Sequence, residues 1–130
     1  MEPDLDPARV FVDGVATSNP VRIAGVLDPR VHLRALTPSG LVEEAGPADV
    51  VERVLGWFGH PDVFTLESWT VEGVGERVHL SYRFLLHDDE GWYRIDQEAF
   101  ADVARGRIAA IDLVCSGFEP VAAPDLVVLV

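Results

Sequence analysis

Three runs of alternating apolar and polar residues follow one another directly, Arg77–Leu86, Trp92–Val103 and Ile108–Cys115. Only Asp88-Asp89-Glu90-Gly91 and Ala104-Arg105-Gly106 separate them. Period-two alternation sends successive side chains to opposite faces of a strand. Connections this short join antiparallel neighbours, because a parallel crossover needs a dozen residues or more. The block from Glu76 to Cys115 is therefore predicted to be an antiparallel sheet with one apolar face. On its first strand Val78, Leu80, Tyr82, Phe84 and Leu86 share that face, and His79, Ser81, Arg83 and His87 share the other.

An apolar sheet face must be covered, and the preceding residues supply helices. Asp6-Pro7 is a start signal, since Asp can cap free N–H groups and Pro fits the first turn. Val10, Phe11 and Val15 continue as an apolar stripe to Ser18-Asn19. Asn19-Pro20 repeats the signal before a short helix bearing Ile23, Val26 and Leu27, with Asp28-Pro29 as its stop. Arg30–Leu36 alternates as a strand, Val31, Leu33 and Ala35 against His32 and Arg34; Leu41–Glu44 is a brief return strand. Gly46-Pro47 opens a third helix with Val50, Val51, Val54, Trp57 and Phe58 on one stripe. Gly59 and Pro61 end it. Phe64–Val71 reads as a further strand, with Phe64, Leu66 and Ser68 opposed to Thr65, Glu67 and Trp69.

With 130 residues the chain is read as one domain, its core at about 6–118 and a tail at 119–130. That length suffices for a core without disulfides or metal. The tail closes on Leu126-Val127-Val128-Leu129-Val130, apolar enough to suggest an edge strand or a subunit contact. Formal net charge is −12, from 22 acidic and 10 basic residues, all of the latter arginine. Such a balance argues against nucleic acid and anionic membrane surfaces, which require clustered cations. No apolar run approaches a membrane span or a signal peptide, so a soluble, cytoplasmic protein is expected. Four scattered histidines and one cysteine give no zinc signature, and no metal or cofactor is expected.

Asp96 and Glu98 stand two apart on a strand and so share a face. A buried carboxylate of raised pKa there would shuttle protons in an enolisation or an aldol-type cyclisation. Strict alternation instead puts both on the face opposite Tyr82 and Phe84, paired with Arg83 and Arg94; a bulge would reverse that parity. Gln97, in phase with Tyr93 and Ile95, is polar where the pattern calls for an apolar residue, which points to a polar group inside. Tyr82 and Tyr93 fall on the apolar face, as oxyanion-steadying phenols or as core aromatics. His32 and His79 occupy polar phases, and His60 and His87 lie beside turns. Cys115 has no adjacent base or cation and reads as a small hydrophobe.

Helix, helix, strand, helix and then antiparallel strands, with Trp57-Phe58 ending the third helix and a Gly106-Arg107-Ile108 hairpin, resemble the nuclear transport factor 2-like superfamily. The similarity is to its SnoaL-like and ketosteroid-isomerase-like branch. The resemblance implies an α+β, cone-shaped (cystatin-like) fold, with N-terminal helices packed on a strongly curved, mainly antiparallel sheet. It further implies an apolar pocket lined by Phe11, Val54, Trp57 and Phe58 from the helices and by Leu33, Leu80, Tyr82, Phe84 and Tyr93 from the sheet. A small hydrophobic molecule is the implied ligand, and a homodimer through the outer sheet face the implied assembly. Leu33, with Arg34 beside it, stands where ketosteroid-isomerase-like members place a carboxylate base; Asp96 or Glu98 matches the position of a second functional carboxylate. Three readings follow: a cofactor-independent isomerase or cyclase, a non-catalytic dimerisation or interaction module with a filled core, and an epoxide-hydrolase-like enzyme built on Arg83, Asp96 and Asp112.

Overall fold

A computed structural model describes residues 2–124 of the chain. Helices α1 (Asp6–Ala16), α2 (Pro20–Ala24) and α3 (Pro47–Gly56) pack on one face of a mixed, curled sheet. Its strands are β1 (Leu27–Thr37), β2 (Gly40–Ala45), β3 (Val63–Val74), β4 (Arg77–Asp88), β5 (Gly91–Ala104), β6 (Arg107–Cys115) and β7 (Glu119–Pro120). They lie in the order β2-β1-β6-β5-β4-β3, with the short β7 beside β5. β1 and β6 run parallel, and their neighbours pair antiparallel. The predicted three-strand block is thus the middle of the sheet.

Local signals account for most element ends. Asn19 Oδ1 accepts from Arg22 N at 3.0 Å, capping α2 as expected. At α1 the capping differs from the expectation: Leu5 holds the N-cap position without a side-chain bond, and Asp4, one residue earlier, accepts from Asp6 N at 3.0 Å. Asp28-Pro29 does not merely end α2, for β1 already begins at Leu27. Irregular pairing with β6 between Leu27 and His32 accommodates the proline there. Gly59 takes φ 64° after α3, the left-handed turn predicted for it. Gly14 lets α1 and α2 approach closely, since a Cβ there would lie 2.6 Å from Ile23 Cγ1.

Alternation sorts the sheet into two faces. Val78, Leu80, Tyr82, Phe84 and Leu86 of β4 are buried under the helices, and Ile95, Gln97, Ala99 and Ala101 of β5 stand beside them. Leu33, Ile111 and Leu113 extend the same layer across β1 and β6. One strand departs from simple parity. A register shift between Leu66 and Ser68 bulges β3 at Glu67, so Trp69 and Val71 oppose Tyr82 and Leu80. Trp69 therefore shares the face of Phe64 and Leu66, not that of Thr65. An inserted residue reverses side-chain parity downstream, and nothing in the local pattern announced it. The apolar run Leu126–Val130, considered above as an edge strand, lies outside the described residues.

Beneath α3 the interior is filled by aromatic rings. Phe84 stacks on Phe64 at 4.4 Å between centroids and meets Phe58 at 5.3 Å and Tyr82 at 5.6 Å, edge-on. Phe58 in turn lies 4.9 Å from Phe64. Phe84 thus links the turn that follows helix α3 to strands β3 and β4. Truncating such a residue loses transfer energy and leaves a cavity. Phe84→Ala is expected to cost about 3–5 kcal/mol in urea unfolding, while an unchanged midpoint would show that the rings do not hold the turn after α3 to the sheet.

A groove beside the buried Tyr82–Gln97 pair

The polar residue expected inside is there. Gln97 is 1% exposed on the inner face of β5 and Tyr82, 2% exposed, stands opposite it on β4. The Tyr82 hydroxyl donates to Gln97 Oε1 at 2.7 Å. Gln97 Nε2 donates onward to Cys115 Sγ at 3.4 Å, and the backbone N–H of Gly117 donates to the same sulfur at 3.4 Å. Burial pushes the Tyr82 phenol well above its ordinary range, with Cys115 and Glu98 adding in the same direction. Tyr82 therefore stays a protonated donor at neutral pH.

Cys115 ends this chain at the wall of an open groove of about 400 Å³. Its apolar walls are Trp57 at the C-terminal end of α3, Phe118 after β6, Val42 on β2 and Pro38 in the β1–β2 turn. Arg53, Thr37, Ser39, Cys115 and Gly117 complete it. Phe118 is braced by Tyr93, ring to ring at 5.5 Å. Of the residues expected to line a pocket, only Trp57 borders this groove. Phe11, Leu33, Val54, Phe58, Leu80, Tyr82, Phe84 and Gln97 lie on the expected side of the sheet but are buried against one another. Arg53 and Phe118 were not among the sequence candidates. Arg53 carries a signal in retrospect, three residues after Val50 and four before Trp57 on the apolar stripe of α3, where a charge must reach outward past the core.

The carboxylates lie elsewhere. Asp96 and Glu98 project from the outer face, 39% and 54% exposed. Arg83 Nε donates to Asp96 Oδ1 at 2.7 Å; Glu98 accepts from Ser81 Oγ at 2.8 Å and meets His79 Nε2 at 2.7 Å. The condition for a buried proton shuttle, an inward carboxylate, is thus not met. β4 and β5 pair without a register shift from Val78/Ala101 to Asp88/Gly91, so no bulge turns these residues inward. The Arg83, Asp96 and Asp112 trio does not converge either, because Asp112 pairs with Arg77 at 2.9 Å. His32 pairs at long range with Glu43, and His87 with Asp62, both at the surface. Among the described residues no group of three His, Cys, Asp or Glu is placed to hold a metal ion, and no helix is long and apolar enough to cross a membrane.

A buried donor–acceptor pair is costly to halve and cheap to remove whole. Tyr82→Phe alone leaves Gln97 Oε1 without its donor and is expected to lose about 1–3 kcal/mol of stability. The double variant Tyr82→Phe/Gln97→Leu should lose less than the sum of the two single changes in a denaturation cycle. Strict additivity would mean that the pair is not coupled.

The sequence matches no protein-family profile and no curated protein. Solved structures do match. A candidate ketosteroid isomerase from Kribbella flavida superposes with a TM-score of 0.65 at 18% identity, covering 94% of this chain and 82% of that one. A candidate polyketide cyclase from Xanthomonas campestris gives 0.66 at 20% identity, covering 84% and 87%. An LEH-like epoxide hydrolase of M. tuberculosis gives 0.66 at 11% identity, covering 86% and 81%. Three chemistries on one backbone at such identities speak to architecture, not reaction. The element order, the sheet and these superpositions agree: the chain has the nuclear transport factor 2-like fold.

Proposed function

We propose that the chain binds a small, largely apolar molecule in the groove bordered by Trp57, Phe118 and Cys115. The observation that carries this reading is an aromatic-walled recess of about 400 Å³ set against the inner face of the sheet. Binding sites are concave, mostly apolar and furnished with a few placed polar groups. The deeper interior is occupied by the chain's own aromatic rings, so the ligand sits at the rim and not within the core. Asp96 and Glu98 have no part in this site while they remain in their outer-face ion pairs. Acid/base catalysis by either would require a rearranged strand, and the reading is therefore of a binder.

Backbone NMR during titration with a panel of small aromatic compounds tests it. Shifts are expected at Thr37–Ser39, Trp57 and Cys115–Phe118. Trp57→Ala should weaken binding by about 1–2 kcal/mol, the worth of a partly buried aromatic wall. Shifts confined to the recess between α2 and α3, at Val21, Val51 and Leu55, would overturn the assignment.

A second reading has its own support, that two copies pair through the outer sheet face. Leu41, Leu36 and Val114 lie directly opposite one another across β2, β1 and β6, and are 57%, 53% and 53% exposed. Phe100 adds an exposed ring on β5. Exposed apolar rows of this kind favour a partner, and a two-fold axis would set row against row. Asp96, Glu98, Arg83 and His79 would then form a polar rim. Sedimentation velocity should show a dimer of 14.2-kDa chains that Leu36→Glu with Val114→Glu converts to monomer; a wild-type monomer at high micromolar concentration would exclude the pairing.

A further inference from the structure

The polar lining of the groove has a consistent character. The protein has 22 acidic residues and a formal charge of −12, yet among the described residues no carboxylate lines this recess and one guanidinium does. Arg53 Nε donates to Glu44 Oε2 at 2.8 Å. Among the described residues neither terminal nitrogen of Arg53 donates to a protein acceptor, and the side chain remains 43% exposed. Glu44, Asp49 and Glu52 line a separate recess that shares Arg53 and Trp57 with this one. The Arg53–Trp57 ridge thus divides an acidic hollow from an apolar one.

The remaining polar groups also offer hydrogens. Cys115 Sγ already accepts from Gln97 Nε2 and from Gly117 N, so the hydrogen of its thiol is what it has left to give. Thr37 Oγ1 is engaged, donating to Gly40 O at 3.0 Å and accepting from Ser39 N at 3.2 Å. The Ser39 hydroxyl is exposed at the rim and makes no hydrogen bond among the described residues. A ligand in this groove meets the Arg53 cation and hydrogen-bond donors together with the apolar surfaces of Trp57, Phe118, Val42 and Pro38.

We propose that the groove selects a small monocarboxylate with an apolar body, its head held by the terminal nitrogens of Arg53 and its body laid against Trp57 and Phe118. The inference rests on the binding reading given above and adds the charge of the ligand. A guanidinium presents parallel N–H groups that match a carboxylate, and a charge-assisted bond is stronger than a neutral one. Glu44 competes for the same cation from the other side, so its charge tunes the affinity.

Isothermal titration with 2-naphthoate and its neutral counterpart 2-naphthamide tests the proposal, with wild type, Arg53→Gln, Glu44→Gln and Trp57→Ala compared. The expected result is that naphthoate binds about fivefold more tightly than naphthamide, a difference that shrinks with added salt. Arg53→Gln should abolish the preference, and Glu44→Gln should enlarge it. Both variants remove an exposed ion pair and leave the core intact, and circular dichroism verifies their folding. Equal affinity for the two compounds in wild type, or a preference that survives Arg53→Gln, overturns the selection of an anion. The groove itself then still stands if Trp57→Ala weakens both compounds. If neither compound binds, or if Trp57→Ala leaves both unchanged, the binding reading falls with it.

Discussion

The unbroken β4–β5 ladder is the constraint on which the remaining structure depends. Its pairs run from Val78/Ala101 to Asp88/Gly91 without a shift. One register therefore decides, for both strands at once, which side chains face the helices and which face outward. Apolar residues and the Tyr82–Gln97 pair go in; Arg83, Asp96, Glu98 and His79 go out. A one-residue slip of β4 would turn His79 and Arg83 inward and expose Leu80, Tyr82 and Phe84, a penalty large against the net stability of a domain.

The helices then close over a face already composed. Phe84 reaches Phe58 and Phe64 together, so one ring ties the turn after α3 and strand β3 to strand β4. These rings fill the space between the turn after α3 and strands β3 and β4, and the recess lies at the rim where Trp57, Phe118 and Cys115 stand. The buried hydrogen-bond chain leads outward to that rim. Tyr82 orients Gln97, Gln97 turns its amide N–H toward Cys115, and the sulfur forms part of the groove wall. A satisfied polar group in a core specifies one arrangement among several of similar packing. Here it also sets the hydrogen-bonding character of a surface some distance from the tyrosine.

The outer face has a different energetic character. Its ion pairs, such as Arg77 with Asp102 and Asp112, are largely solvated and contribute little to stability singly. The hydrogen bonds that Arg77 donates to Asp112 and Asp102 hold its guanidinium charged, against an opposing effect of burial. What these pairs do supply is solubility and orientation around the apolar row of Leu41, Leu36 and Val114. The proposed pairing of two copies would set this face, apolar at the middle and charged around it, against its own copy.

Much of this was legible in the residues. Period-two patterning identified the central strands, the stripe Val50–Phe58 identified α3, and the single polar break in the apolar phase identified Gln97 as an inward group. Those readings succeed because they depend on burial of consecutive side chains, which the local pattern records directly. The side of the sheet taken by Asp96 and Glu98 was fixed only when β5 paired with β4 without a bulge. Trp69 changed sides because β3 does carry one at Glu67, and a bulge depends on how two strands meet. Arg53 and Phe118 join Cys115 only in space, from α3, the segment after β6 and the strand end itself. The sequence by itself determined which surfaces must be buried, through the free energy of removing apolar groups from water. Tertiary structure alone decided how completely the interior would fill and where a recess would remain, since that depends on the meeting of rings from separate elements.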